Sequence, residues 1–254
     1  MAFEDDRLIP NWLYIKRILQ PAALLLSLVI QPLGYAQEVA SAHQAAIDAQ
    51  ARLLTPELLA TAERNSAAAE QLAASNSPNA AEAREQARRL FKQTEQEALR
   101  RAGRLRITLE ARRLAQVAGA DTLAKKAWQK AEDYLREAVA GLANERENIV
   151  QRESLNAQQA YDAAELAAIN NSILGPAREQ LKTATKQRAQ RFAPRTLQRG
   201  RDLVIRARDM LQEDRYASEA AGELSAQAEA YGRRAVQINK LTQTKPKLKN
   251  IILI

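Results

Sequence analysis

Three stretches of this chain align without gaps at a spacing of 69 residues, and that repeat limits the fold before any local pattern does. The first runs from Leu54 to Glu63, the second from Leu123 to Glu132 and the third from Phe192 to Arg201; their starts, 54, 123 and 192, differ by 69 each time. An aromatic landmark follows each opening, at Phe91, Tyr161 and Tyr231, spaced 70 apart. A unit copied along a chain stacks on its neighbours instead of folding round one central core. Such copies are not built around a unique catalytic constellation.

Each opening has the marks of a helix start. Thr55 suits an N-cap and Pro56 the first helical turn, where a missing N–H costs nothing. Ala193-Pro194 repeats the proline, and Lys125 takes its place in the second copy. Trp128, Ala131, Leu135, Ala138 and Leu142 fall at steps of three and four, as do Leu197, Gly200, Val204, Ala207 and Leu211. Turns are expected at Ser75–Pro78, Gly141–Asn144 and Glu213–Arg215. A second helix then carries Phe91, Tyr161 or Tyr231 near its middle, with closely spaced alanines such as Ala83 and Ala87, Ala157 and Ala160, Ala226 and Ala230. Gly103 and Gly175-Pro176 are expected joints to a third helical stretch. Trp128 and the three aromatics read as core knobs because they recur at matching places.

The composition agrees. Hydrophobic residues are 46% of the chain but aromatics only 4%, so the apolar content is mostly Ala and Leu, which suits closely packed helices and not sheets. The expected fold is all-α: an elongated array of three helical-hairpin repeats with a period of about 69 residues. The expected divisions are a signal peptide (1–36), an N-terminal capping helix (37–53), repeats at 54–122, 123–191 and 192–241, and a basic, apolar tail (242–254).

The N-terminus has the order of a secretory signal: the basic pair Lys16-Arg17, the apolar core Ile18–Ile30, then Gly34 and Ala36 as small residues before Gln37. The expectation is export to the periplasm with cleavage after Ala36, or else retention as an N-terminal anchor. The chain has no cysteine, so disulfides, thiolate metal sites, cysteine nucleophiles and a lipidated N-terminal cysteine are excluded. At the other end Lys240, Lys245, Lys247 and Lys249 precede Ile251-Ile252-Leu253-Ile254, with Pro246 as an expected break. Four aliphatics in a row imply either docking on the helical body or a longer protein.

Phe192–Leu197 and Asp214-Arg215-Tyr216, with Leu53–Leu58, Ala164–Ile169 and Leu174-Gly175, resemble a family of Gram-negative cell-envelope proteins. In that family an Ala-, Glu- and Arg-rich helical region of unassigned function often precedes an OmpA-like peptidoglycan-binding domain. The resemblance covers roughly Ala51 to Asn239 and rests on helix-packing motifs. In the family pattern an OmpA-like domain would follow where this sequence stops, at Ile254, so the resemblance is to the helical region without that domain and peptidoglycan binding by it is not carried over.

No other constellation points to chemistry. His43 is the single histidine and reads as a surface or packing residue, without the company a metal or a catalytic triad needs. There is no Gly-rich phosphate loop or dinucleotide fingerprint, so no cofactor is expected. Glu132-Asp133 are adjacent and splay apart on a helix, which does not suit a glycosidase pair. The densest cationic run is Arg100, Arg101, Arg104 and Arg106 with Arg112 and Arg113, on a chain of formal net charge +8. It reads first as a solvated helix face and alternatively as a contact for an anionic surface. Sparse aromatics and the export signal exclude nucleic acid as the partner class. The function expected is non-enzymatic: a periplasmic scaffold or interaction module whose partners are an envelope protein or peptidoglycan. The alternative is a binder of anionic envelope polymer or membrane surface through the basic face.

Overall fold

The structure, a computed structural model, describes the backbone of residues 36–251 and the side chains of 36–242. The expected signal segment and the last aliphatics therefore lie outside the described residues. The described chain is all-α, as composition and periodicity require, with no strand. It divides into two compact units at Arg104/Leu105, which is inside the segment 54–122 expected to be one repeat.

Unit 1 opens with helix α1 (residues 36–48), followed by the short α2 (Ala51–Leu54), α3 (Pro56–Ala74) and α4 (Ala80–Arg104). The stretch expected as one capping helix is thus two helices, parted at Gln50, whose backbone is left-handed (φ 61°). A short loop turns α3 back on α4 as an αα-hairpin. Its packing is small-on-small: Ala62, Ala69, Ala87 and Ala98 are buried, with Phe91 as the large side chain between them. Thr55 does not cap α3. Its hydroxyl turns back to donate to Ala51 O (3.3 Å), closing α2 instead.

Unit 2 repeats these local events. It comprises α5 (Arg106–Val117), α6 (Ala120–Leu123), α7 (Lys125–Ala143), α8 (Glu147–Lys186), a 3-10 turn (Ala189–Arg191), α9 (Pro194–Glu213) and α10 (Ser218–Ile251). Helix α8 is the spine, packing against α5, α7, α9 and α10. Its buried stripe Val150, Glu153, Ala157, Tyr161, Ala164, Ala168 advances by three or four residues, the spacing of one helix face. Alanine and glycine in the seams let backbones come close. A Cβ on Gly200 would sit 2.7 Å from Leu181 Cδ2 and 3.2 Å from Ala228 O, so a larger residue between α9, α8 and α10 would force the Leu181 side chain and the α10 backbone to give way.

Gly175-Pro176 does not break α8, contrary to the sequence reading. Pro176 brings no N–H to the helical ladder, and one turn earlier Ile173 O receives the Ser225 hydroxyl of α10 (2.7 Å). Pro246 likewise falls within the span of α10, Ser218–Ile251. The other expected joint, Gly103, lies two residues before the break at Leu105. In α10 the inward residues are Ala221, Ser225, Ala228 and Ala235, whereas Ala226 and Ala230 are exposed and Tyr231 is half-buried. The preceding helix α9 has 20 residues where α3 and α7 have 19, and the extra residue moves the register.

Trp128 is also half-buried, unlike Leu59 (4% exposed) and Leu197 (1%) at the matching places, because the indole reaches past the seam.

Two of the left-handed residues before short helical turns are not glycine. Gln50 (φ 61°) and Arg188 (φ 60°) accept a conformation that Gly119 (φ 76°) enters without penalty. Arg188→Gly should raise stability by about 0.5–1 kcal/mol, and Gly119→Ala should lower it by about 1 kcal/mol. Urea unfolding followed by circular dichroism measures both, and a lowered midpoint for Arg188→Gly would contradict this view of the turn.

Candidate functional site

Glu132 and Asp133 in α7 point apart, as adjacent helical residues must. Asp133 meets Arg136 at the surface (3.0 Å), while Glu132 turns inward. There it accepts Arg112 Nε at 2.7 Å and Nη2 at 3.4 Å, and the Tyr161 hydroxyl at 2.7 Å. The Trp128 ring stands edge-on to Tyr161, with centroids 5.3 Å apart, and the Arg112 guanidinium lies 5.2 Å from the Trp128 centroid. Burial and the Glu132 carboxylate push the Tyr161 hydroxyl far above the ordinary phenol range. Burial would lower Arg112, but Glu132 outweighs it and the guanidinium is raised. The tyrosine is therefore a fixed donor and the glutamate an ion-paired acceptor, together a lock between α5, α7 and α8.

Unit 1 holds a smaller set of the same kind. His43 Nε2 lies 3.3 Å from Glu63 Oε1, and the imidazole stacks on Phe91 at 4.8 Å with a 38° tilt. In both sets a cationic or polar side chain on the helix before a short turn meets a glutamate 20 residues later and an aromatic on the next long helix. His43 was read from the sequence as a surface or packing residue, and it is a packing one. The signal that could have joined the sets was the shared 20-residue separation.

A buried carboxylate, Glu165 (3% exposed), sits on α8. Arg215, in the turn before α10, donates to it at 2.6 Å and lies 3.7 Å from Asp162. Beside this pair is a groove of about 450 Å³ between α5, α8 and the α9–α10 turn. Leu114, Val117, Ile169, Ile173 and Tyr216 form its walls. Val117 and Tyr216 are 76% and 67% exposed, so the groove is open.

The six arginines of the basic run have different fates. Arg100 forks onto Glu97 (2.7 and 2.8 Å) and Arg113 onto Glu110 (2.9 and 2.7 Å). Arg112 is held by Glu132. Arg101 is buried, donating to Glu97 (2.7 Å) and to the buried carbonyl of Leu54 (2.8 Å). Arg104 and Arg106 are exposed, at the end of α4 and the start of α5. The run is thus not one solvated face: Arg101 is buried, Arg112 half-buried and the others exposed. Among the described residues no cluster of three or more His, Cys, Asp or Glu side chains is placed to hold a metal, and no helix is long and apolar enough to cross a membrane.

Comparison with protein-family models, curated proteins and solved structures finds no match to this chain.

Neighbouring arginines should differ sharply on mutation. Arg101→Ala leaves the Leu54 carbonyl buried and unsatisfied and should cost about 2–3 kcal/mol. Arg100→Ala removes an exposed pair and should cost under about 1 kcal/mol. Equal losses in denaturant melts would contradict this assignment. Hydrogen bonds from Arg100 and then Arg101 hold Glu97 down at about 2 against the ordinary 4.5, despite partial burial. Because the folded value is the lower one, that stabilisation is complete above pH 4.5 and is lost as pH falls towards 2. Glu97→Gln should flatten the acid limb of a stability–pH curve, and an unchanged limb would remove Glu97 as a cause.

Proposed function

We propose that the chain is a non-enzymatic helical-repeat scaffold of the bacterial envelope, exported to the periplasm, related to the helical regions of OmpA-family envelope proteins. Its repeat is 69 residues, as the sequence implies, but its frame is shifted to 36–104, 105–173 and 174–242. The modules then open on α1, on α5 and on the later part of α8, pass one left-handed residue, a short turn and a shorter helix, and close on α4, on the earlier part of α8 and on α10.

The observation that carries this reading is the recurrence of backbone geometry. The left-handed residues Gln50, Gly119 and Arg188 lie 69 apart, and so do Asn76 (φ 53°) and Glu145 (φ 54°) in the hairpin turns. The next helices start at Pro56, Lys125 and Pro194, also 69 apart. His43 and Glu63 shifted by 69 are Arg112 and Glu132, and Phe91 shifted by 70 is Tyr161. The third module has Leu181 and Arg201 at those places, and there Leu181 packs on Gly200. A position filled by histidine, arginine or leucine in turn fits a packing role and not a catalytic one. The division between compact units at Arg104/Leu105 fits the shifted frame.

The ion pairing of the inward glutamates supports the non-enzymatic reading, since Glu132 and Glu165 are paired with Arg112 and Arg215. The pairing of Arg100, Arg101, Arg112 and Arg113 favours the scaffold over the anionic-surface alternative. The work of such a scaffold is geometric: stacked hairpins present a fixed surface to an envelope partner.

Fractionation of expressing cells with N-terminal sequencing tests the compartment. Gln37 as the first residue of a periplasmic protein is the expected result, and an intact Met1 on a cytoplasmic protein would overturn it. Binding to sacculi and anionic vesicles should be weak and lost with added salt. Tight binding at physiological salt that vanishes in Arg104→Gln/Arg106→Gln would favour the alternative.

A further inference from the structure

The groove on unit 2 is bordered by carboxylates on a basic protein. Its walls are aliphatic and aromatic: Leu114, Val117, Ile169, Ile173 and Tyr216. Around it stand three carboxylates: Glu165 lines it, Asp162 lies 3.7 Å from Arg215, and Asp214 accepts the Tyr216 N–H (2.9 Å). Arg215 is the cation on the lining and is held by Glu165. Arg113, next in sequence to Leu114, is taken by Glu110. The chain as a whole carries formal charge +8, so this local excess of carboxylates runs against the rest of the molecule.

An occupant that fits must bring aliphatic side chains to the walls and cations to the rim. The chain contains such a segment. Residues 245–254 read Lys-Pro-Lys-Leu-Lys-Asn-Ile-Ile-Leu-Ile, with three lysines beside a run of four aliphatics. The segment cannot fold back onto its own groove. Helix α10 starts at the groove rim with Ser218 and runs to Ile251, and 34 residues at 1.5 Å each carry the chain about 50 Å away. Three more residues span at most about 10 Å.

We propose that the groove receives segment 245–254 of a second copy of this chain, joining copies head to tail. Such an interface is heterologous: each copy offers one groove and one segment, so association continues to a ring or an open filament and does not stop at a symmetric pair. Every residue in the interface lies in 105–254, so the inference stands apart from the repeat frame and from the envelope reading.

Two measurements on the full chain test it. In the first, a fluorescein-labelled peptide of residues 243–254 is titrated with the protein and followed by anisotropy. Saturable binding is expected, weakened at least tenfold by Val117→Asp and weakened again as salt rises from 50 to about 500 mM. Val117 is 76% exposed, so the variant should keep its helicity by circular dichroism. In the second, sedimentation velocity is run over a hundredfold range of concentration. Growth beyond a dimer is expected for the wild type and its loss for a chain with Ile251, Ile252, Leu253 and Ile254 changed to Ser. A peptide that fails to bind folded wild-type protein, or binds Val117→Asp equally well, overturns the proposal. So does assembly that persists unchanged in the serine variant, because that places the contact elsewhere.

Discussion

The structure depends on how each short turn between helices has its exposed carbonyls satisfied. At such a turn the helical ladder stops, and C=O groups that would have been bonded within the helix lose that partner. A side chain from the following long helix reaches back to one of them at every turn. Arg101 donates to Leu54 O (2.8 Å), Asn171 to Leu123 O (2.8 Å) and Asn239 to Gln187 O (2.7 Å), across 47, 48 and 52 residues of sequence. These bonds tie the start of a hairpin to its end. Without its bond the turn after Gln50 would leave Leu54 O a buried unsatisfied acceptor, at a cost of about 1–3 kcal/mol, while the bonds to Leu123 O and Gln187 O lie nearer the surface.

With the bends fixed, the rest is close packing of small residues. The seams of α4, α8 and α10 are mostly alanine, with polar members that reach the neighbouring helix. Thr108 donates to Ser154 O (3.2 Å) and Ser225 to Ile173 O (2.7 Å), so hydroxyls replace apolar bulk where backbones come near. Alanine seams bury little area per residue, which is why the few large side chains count for so much. Phe91 and Tyr161 are fully buried, and each is flanked by a polar pair, His43–Glu63 and Arg112–Glu132.

Much of the fold could be read from the sequence because local chemistry and period agree. Pro56, Pro194 and the apolar stripes after them mark helix starts that the structure places at those residues. The short turns were less legible. Gly119 announces a left-handed residue, but Gln50 and Arg188 carry no such mark, and so a single capping helix was expected at 37–53. Gly175-Pro176 has the marks of a break and is not one, because tertiary packing from α10 supports the helix there. The basic run showed that sequence counts charges without showing their partners. Arg101 is buried against a carbonyl 47 residues away, which no local pattern reveals. The groove was equally hidden, since its walls come from 114–118, 165–173 and 215–218.

The proposed 69-residue module is tested most directly by removing one copy in register. Deleting 105–173 joins Arg104 to Leu174 in place of Leu105, and both leucines are buried (0% and 1% exposed). The left-handed turn, hairpin and alanine seam that follow would keep their order. Thermal unfolding by circular dichroism should show a helical protein with a cooperative transition, while deleting 105–156, which breaks the register, should abolish it. If the in-register deletion is as disordered as the out-of-register one, the chain is not a stack of equivalent modules and the account fails.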